Sequence, residues 1–272
     1  MPIEQNDFEL VQKACEGDKE ALNKLVTRYY DFVFNVARRM VFKHEEALDI
    51  TQDVIVRMIT NLNKYTKDVS FKAWVYKMTV NHFLNEKEKK NRAPQLGFDD
   101  FDAGLDTIKD SNLGATPEDD LLLKEVKVSC TIGMLMCLSA DQRLAYILGE
   151  ILDVDHKTGA YIFDVNPSGF RKLKSRAVQD IRNFMGGRCG LIDPSNSCRC
   201  EKKARGFVAE GWIDPSKMTF SKDYSGSIAE KAEELVDVLE TDIRTVVQKL
   251  YQDHPFYTPD NKYLVLKDLN LN

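Results

Sequence analysis

From residue 18 to residue 92 the chain contains neither proline nor glycine. These are the two residues that most readily end or weaken a helix, so so long a stretch without them is committed to helical structure. Apolar side chains recur through it at three- and four-residue steps. Phe8, Leu10, Val11 and Ala14 open one stripe. Leu22, Leu25, Val26, Tyr29, Phe32, Val33, Val36, Ala37 and Met40 make a longer one. Leu48, Val54, Ile55, Met58, Ile59 and Leu62 form a third, and Phe71, Trp74, Val75, Met78 and Phe83 a fourth. Residues 1–93 are therefore expected to be one helical domain, and the chain as a whole to be all-α.

The character of the chain changes at Ala93-Pro94. Residues 94–120 hold eight acidic residues, Lys109 as the only cation, three glycines and two prolines. No apolar period is evident, which predicts an acidic linker. A second helical domain is expected over 121–187. There Ser139 and Gln142 have capping-box spacing ahead of Leu144, Ile147, Leu148 and Ile151. Asn166-Pro167 supplies an N-cap and a first-turn proline. Lys157–Phe163, a turn at Asp164-Val165 and a helix from Pro167 then read as a helix-turn-helix. Residues 188–272 form a Cys-containing extension. It includes an amphipathic helix predicted over 226–252 and a short strand over Tyr263–Leu266.

A chain of 272 residues can bury more than one core. No apolar run reaches membrane-spanning length, because charged residues interrupt every stretch. The first residues, Met1-Pro2-Ile3-Glu4-Gln5-Asn6-Asp7, lack the basic and apolar segments of a signal peptide, so a cytoplasmic location is expected. The net charge is −5, yet cations gather at 87–92, 171–176 and 199–205. An acidic chain with basic islands suits nucleic-acid binding that depends on a larger partner.

Three segments carry interpretable chemistry. Asp49, Gln52, Asp53 and Val56 recur at i, i+3, i+4 and i+7 and share one side of a helix. That side is either a solvated polar face or a docking surface for a partner helix. Phe71-Lys72-Ala73-Trp74-Val75-Tyr76-Lys77 leads into Asn81, Asn85, Lys89, Lys90 and Arg92. Aromatic faces stack on unpaired bases, amides read base edges and cations neutralise phosphates. Phe71 and Trp74 fit a core role at this spacing, which leaves Tyr76, Lys77, Asn81 and Asn85 as the expected contacts. In the presumed recognition helix, Asn166, Ser168, Phe170, Arg171, Lys172, Lys174 and Arg176 are the candidates for duplex contact.

This order of parts resembles region 2 of a bacterial RNA polymerase sigma factor of the sigma-70 superfamily, followed by a helix-turn-helix where region 4 should lie. The absence of an intervening domain and of a long N-terminal extension points to the extracytoplasmic-function class. The resemblance implies a promoter-specificity subunit, not an enzyme, whose partners are core RNA polymerase, promoter DNA and an anti-sigma or recruiting protein, with no membrane partner. It implies that Ala47–Val54, with Asp49, Gln52 and Asp53, binds the clamp helices of the polymerase's largest subunit. Residues 71–82 would open and read the −10 element, with Asn81 at the position that helps hold a flipped-out base. The linker would pass through the polymerase. Region 4 is matched in Ser168, Phe170, Arg171, Arg176 and Ala177. It is departed from at Val178, at Lys174, where an apolar residue is usual, and at Gly159, which replaces a helix former. A stand-alone helix-turn-helix regulator is the alternative, and it leaves the first domain without a role.

Cys189, Cys198 and Cys200 make a tight thiol cluster. Three thiolates and one more ligand would form a structural zinc site, and the other reading is reduced thiols in a loop. No fourth cysteine stands near the cluster in the chain, and His254 completes it only if the tail folds back. A similar Cys-Gly-Leu-Ile-Asp-Pro stretch with a following Cys-Arg-Cys trails region 4 in some sigma factors of this class, which implies a structural role. Cys15, Cys130 and Cys137 are expected in the core. No cofactor is required. A thiol or zinc enzyme built on 189–254 finds no general base beside the cysteines.

Overall fold

The computed structural model describes residues 4–41, 43–90, 96–114 and 116–217, with the side chains of 4–6, 86–90 and 217 left aside. The helix expected at 226–252, the strand at Tyr263–Leu266, His254 and Arg92 lie outside the described residues. Within them the fold is all-α, with a single isolated bridge between Cys189 and Cys198 and no strand. The described residues fall into two compact units.

The first unit gathers the residues up to 90 with Ala140–Lys174. Its helices are α1 (Glu4–Cys15), α2 (Lys19–Met40), α3 (His44–Thr60), α4 (Phe71–Lys90), α7 (Ala140–Tyr146), α8 (His156–Phe163) and the first turns of α9 (Pro167–Arg188). Local chemistry sets several of their starts. Asp18 caps α2 by accepting from the backbone N–H of Glu20 at 2.9 Å and Ala21 at 3.1 Å. Ser70 accepts from Ala73 at 3.2 Å at the head of α4. The stripes read from the sequence meet in one core of Leu25, Val26, Tyr29, Val33, Ile55, Met58 and Phe71. Asp7 is buried beside it, paired with Arg28 and accepting from the Tyr29 hydroxyl at 2.5 Å. Burial and that carboxylate hold the Tyr29 hydroxyl far above its usual pKa.

The second unit gathers 96–139 with 175–217. It holds α5 (Phe98–Thr107), α6 (Pro117–Cys137), the later turns of α9 and α10 (Cys200–Ala209). Composition predicted a bare linker over 94–120, and here the structure differs. Phe98–Thr107 is a helix whose Phe101 and Leu105 are buried. Phe101 packs beside Phe184 at 5.7 Å and stacks on Trp212 at 6.0 Å. Three of the acidic residues are matched by cations of the same unit: Arg188 pairs with Asp102 at 2.7 Å and with Asp106, and Lys203 with Asp110 at 2.9 Å. Helix α6 also starts earlier than expected, at Pro117, behind a Thr116 cap. It groups with this unit and not with the helix-turn-helix, so the expected 121–187 domain is divided between the two units.

Candidate nucleic-acid interface

Helix α3 turns Ala47, Val54, Ile55 and Met58 inward. The same winding leaves Asp49, Gln52, Asp53 and Val56 exposed along the opposite side, as their spacing predicted. Asp49 and Asp53 border an open cleft whose other walls include Ile50, Phe83 and Arg143. Arg143, from α7, donates to the Met40 carbonyl at 2.8 Å. No local pattern signals Arg143, because its partner lies 103 positions away.

Helix α4 separates its expected contacts into two groups. Asn81 and Asn85 are exposed on it. Tyr76 is not available for base contact, which corrects the expectation: it is 2% exposed and its ring meets Phe32 edge-on at 4.1 Å. The reason is the helical period, which carries position 76 to the same inner face as Val75 and Val80. Phe71 is buried and Trp74 packs on the same core, as expected of them. Lys77 is engaged within the unit. It pairs with Asp164 and lies over the Tyr161 ring at 4.5 Å. Helix α8 runs along α4, so the helix-turn-helix holds a cation of the expected −10 segment. Lys89 and Lys90 continue the helix, and Arg92 lies outside the described residues.

The helix-turn-helix forms where it was expected. Asp155 caps α8, accepting from Lys157 at 2.8 Å and Thr158 at 3.1 Å. The hydrogen bond from the Thr158 hydroxyl, with these backbone ones, holds the Asp155 carboxyl below the usual carboxylate range. Asp164 ends α8 in the left-handed conformation, at φ 52°, and Asn166 caps α9 by accepting from Gly169 at 2.7 Å. Asn166, Ser168, Arg171, Lys172 and Arg176 are exposed.

Two expected contacts prove internal. Phe170 is 1% exposed, and its ring occupies the space beside Gly159 where a Cβ would stand 2.4 Å away. Lys174 pairs at 2.9 Å with the buried Glu150 carboxylate, and its stem crosses Gly149, whose Cβ would meet it at 2.4 Å. The two departures from region 4 seen in the sequence, Gly159 and Lys174, are thus parts of one packing solution. Glycines on α8 and in the π-helical turn Ile147–Ile151 make room, and a phenylalanine and a lysine from α9 fill it.

The cysteines also depart from expectation. Cys15 is exposed and Cys137 is buried, while Cys130 lies close to Cys189, Cys198 and Cys200. Burial pushes the thiols of Cys130, Cys189 and Cys198 up, and that of Cys200 to about 12. Among the described residues no set of three or more His, Cys, Asp or Glu side chains stands in metal-holding geometry.

The family profile described as Sigma-70 region 2 matches residues 25–93, which contain α3, α4 and most of α2. The ECF RNA polymerase sigma-E factor of Haemophilus influenzae is 26% identical over 189 residues, spanning 67% of this chain and 97% of that protein. Its counterpart in Escherichia coli (strain K12) is 26% identical over 190 residues, with 67% and 96% covered. The RNA polymerase sigma-H factor of Pseudomonas aeruginosa is 28% identical over 186 residues, with 66% and 94% covered. A solved structure, the sigma factor RpoE in complex with the anti-sigma factor NepR from Bartonella quintana, aligns at 20% identity and a TM-score of 0.43, over 60% of this chain and 94% of that chain. Residues 25–93 thus match the Sigma-70 region 2 family, and about two thirds of the chain is similar to RNA polymerase sigma factors, among them sigma-E factors named for the ECF class.

Proposed function

We propose that this chain is a promoter-specificity subunit that binds core RNA polymerase, recognises and melts the −10 element, and contacts upstream DNA to start transcription. One observation carries the assignment of roles. The exposed row Asp49, Gln52, Asp53 on α3 and the exposed amides Asn81 and Asn85 on α4 both fall inside the stretch that matches Sigma-70 region 2.

In this reading Asp49, Gln52 and Asp53 dock on the polymerase. Asn81 and Asn85 read and hold the unpaired −10 strand, and Lys89, Lys90 and Arg92 neutralise its phosphates. Lys77 joins them only after release from Asp164. Asn166, Ser168, Arg171, Lys172 and Arg176 meet the upstream duplex. The chain performs no catalysis itself and works in the cytoplasm; no helix among the described residues is long and apolar enough to cross a membrane. An anti-sigma or recruiting protein completes its set of partners. With Phe170 and Lys174 committed to packing, the recognition helix keeps three of its four expected cations for DNA. That favours a subunit relying on the polymerase over a regulator that binds a duplex alone.

The test is a photo-crosslinker at position 81 of the full chain, mixed with core polymerase and a promoter. The expected product joins the chain to the non-template −10 strand only when polymerase is present. A chain that fails to co-elute with the polymerase, or that crosslinks equally without it, overturns the assignment.

A further inference from the structure

Four of the six cysteines meet in the second unit, and three features of its backbone bring them there. Cys189, at the end of α9, and Cys198 are paired as a parallel β-bridge, with Gly190 N–H donating to the Cys198 carbonyl at 3.0 Å. Cys200 follows two residues later as the first residue of α10. Helix α10 packs along α6, which carries Cys130. Cys130 therefore faces Cys189, Cys198 and Cys200 although it lies 59 positions before the nearest of them in sequence (189 − 130). It is the fourth sulfur that the spacing of the other three lacked.

The surroundings are built for a sulfur-bound cation. The backbone N–H of Leu191 is placed to donate to the Cys189 sulfur, and that of Ile192 donates to the Cys189 carbonyl at 3.1 Å. A donor at the sulfur takes up charge left on a thiolate after it has bound a metal, and fixes its orientation. Lys127, one turn before Cys130 on α6, lies within electrostatic reach of Cys189 and Cys200. The loop between the outer cysteines is closed on itself. Asn196 donates to the carbonyls of Gly186 at 3.0 Å and Cys189 at 3.2 Å, and Arg199 donates to the Pro194 carbonyl at 2.5 Å. A loop so short is held here by polar contacts around the thiols, not by an apolar core of its own.

We propose that Cys130, Cys189, Cys198 and Cys200 form a structural site for one thiophilic divalent cation of the zinc class. Four sulfurs are the donor set that tetrahedral structural zinc takes. Binding forms four metal–sulfur bonds and releases the four thiol protons to solvent, leaving a site of net charge −2 that Lys127 and the Leu191 N–H offset in part. The four thiols do not share a centre in this structure, and binding would gather them by turns between staggered χ1 wells, each of which carries a cysteine sulfur about 3 Å. The site would tie α6 to the loop and to α10, which is why the short loop needs no core. It is independent of the assignment of promoter contacts.

Full-length protein, purified under reductant without a metal-chelating tag, is loaded with cobalt(II) and then zinc(II). One metal per chain is expected by native mass spectrometry. The cobalt form should show the thiolate charge transfer and red absorption of a tetrahedral all-sulfur site. Cys130→Ser should weaken zinc binding at least tenfold, while Cys15→Ser leaves it unchanged. Alkylation mapped by mass spectrometry on the unmutated chain gives a second reading that does not depend on any variant folding. Zinc should protect Cys130, Cys189, Cys198 and Cys200 and leave Cys15 reactive. Three results would each overturn the proposal: no metal retained by the reduced chain, zinc protection that omits Cys130, or a Cys189–Cys198 disulfide in protein that binds no metal once reduced.

Discussion

Replacing Gly159 by alanine should destabilise the helix-turn-helix, although alanine is the better helix former. The added Cβ would stand 2.4 Å from one atom of the Phe170 ring and 2.5 Å from two others, a distance that real contacts do not sustain. The ring must retreat by roughly 1 Å to reach ordinary contact. It has little room to do so, being 1% exposed and packed against Phe163 at 5.4 Å. Overpacking of this kind costs about 3 kcal/mol at its upper end, and the gain in helix propensity returns about 1 kcal/mol. The net loss should be about 2 kcal/mol. Urea unfolding followed by far-ultraviolet circular dichroism measures it, and amide exchange along α8 localises it. Phe170→Leu in the Gly159→Ala background should recover at least about 1 kcal/mol of the sum expected from the two single changes, because the pair shares one space. A Gly159→Ala chain as resistant to urea as its parent, or purely additive costs in the double variant, would refute the close approach of α8 and α9.

Three other outcomes follow from the site. Asp164→Asn removes the partner of Lys77, and since exposed pairs contribute no more than about 1 kcal/mol, binding of the free chain to single-stranded −10 DNA should rise by a factor of about five or less; a fall would show that Asp164 does not restrain that lysine. Asp53→Ala should weaken the complex with core polymerase by about 2 kcal/mol in a competition assay and leave the melting temperature unchanged, because the side chain is exposed; unaltered competition would remove α3 from the docking surface. Asp155→Ala should cost about 1 kcal/mol at neutral pH through loss of the α8 cap. The folded carboxyl titrates below its unfolded value, so the contribution is present above that value and lost as pH falls through the folded one; the gap between parent and variant should begin to narrow as pH falls below about 4. A gap that stays constant or widens as the acid is added would contradict it.

Much of the first unit was legible because its information is local. Apolar period fixed the inner faces of α2, α3 and α4. Asn166-Pro167 fixed the start of α9, and the i, i+3, i+4 spacing placed Asp49, Gln52 and Asp53 outward. What escaped depends on partners distant in the chain. Tyr76 and Lys77 are neighbours in sequence, yet one is buried on Phe32 and the other held by Asp164, and no local pattern distinguishes them. Phe170 and Lys174 look like members of a DNA-facing row until Gly159 and Glu150 are placed beside them. Helix α5 was missed because its two buried side chains, Phe101 and Leu105, stand among aspartates that read as a solvated strap. Cys130 sits in an apolar helical pattern, and only the packing of α10 on α6 shows what it faces.

The acidic segment after residue 96 has a further consequence. Three of its aspartates are held by Arg188 and Lys203, each pair worth little alone and weakened by screening as counter-ions accumulate. Added salt therefore loosens the polar edge of this segment in graded steps and leaves α5 seated through its buried Phe101 and Leu105.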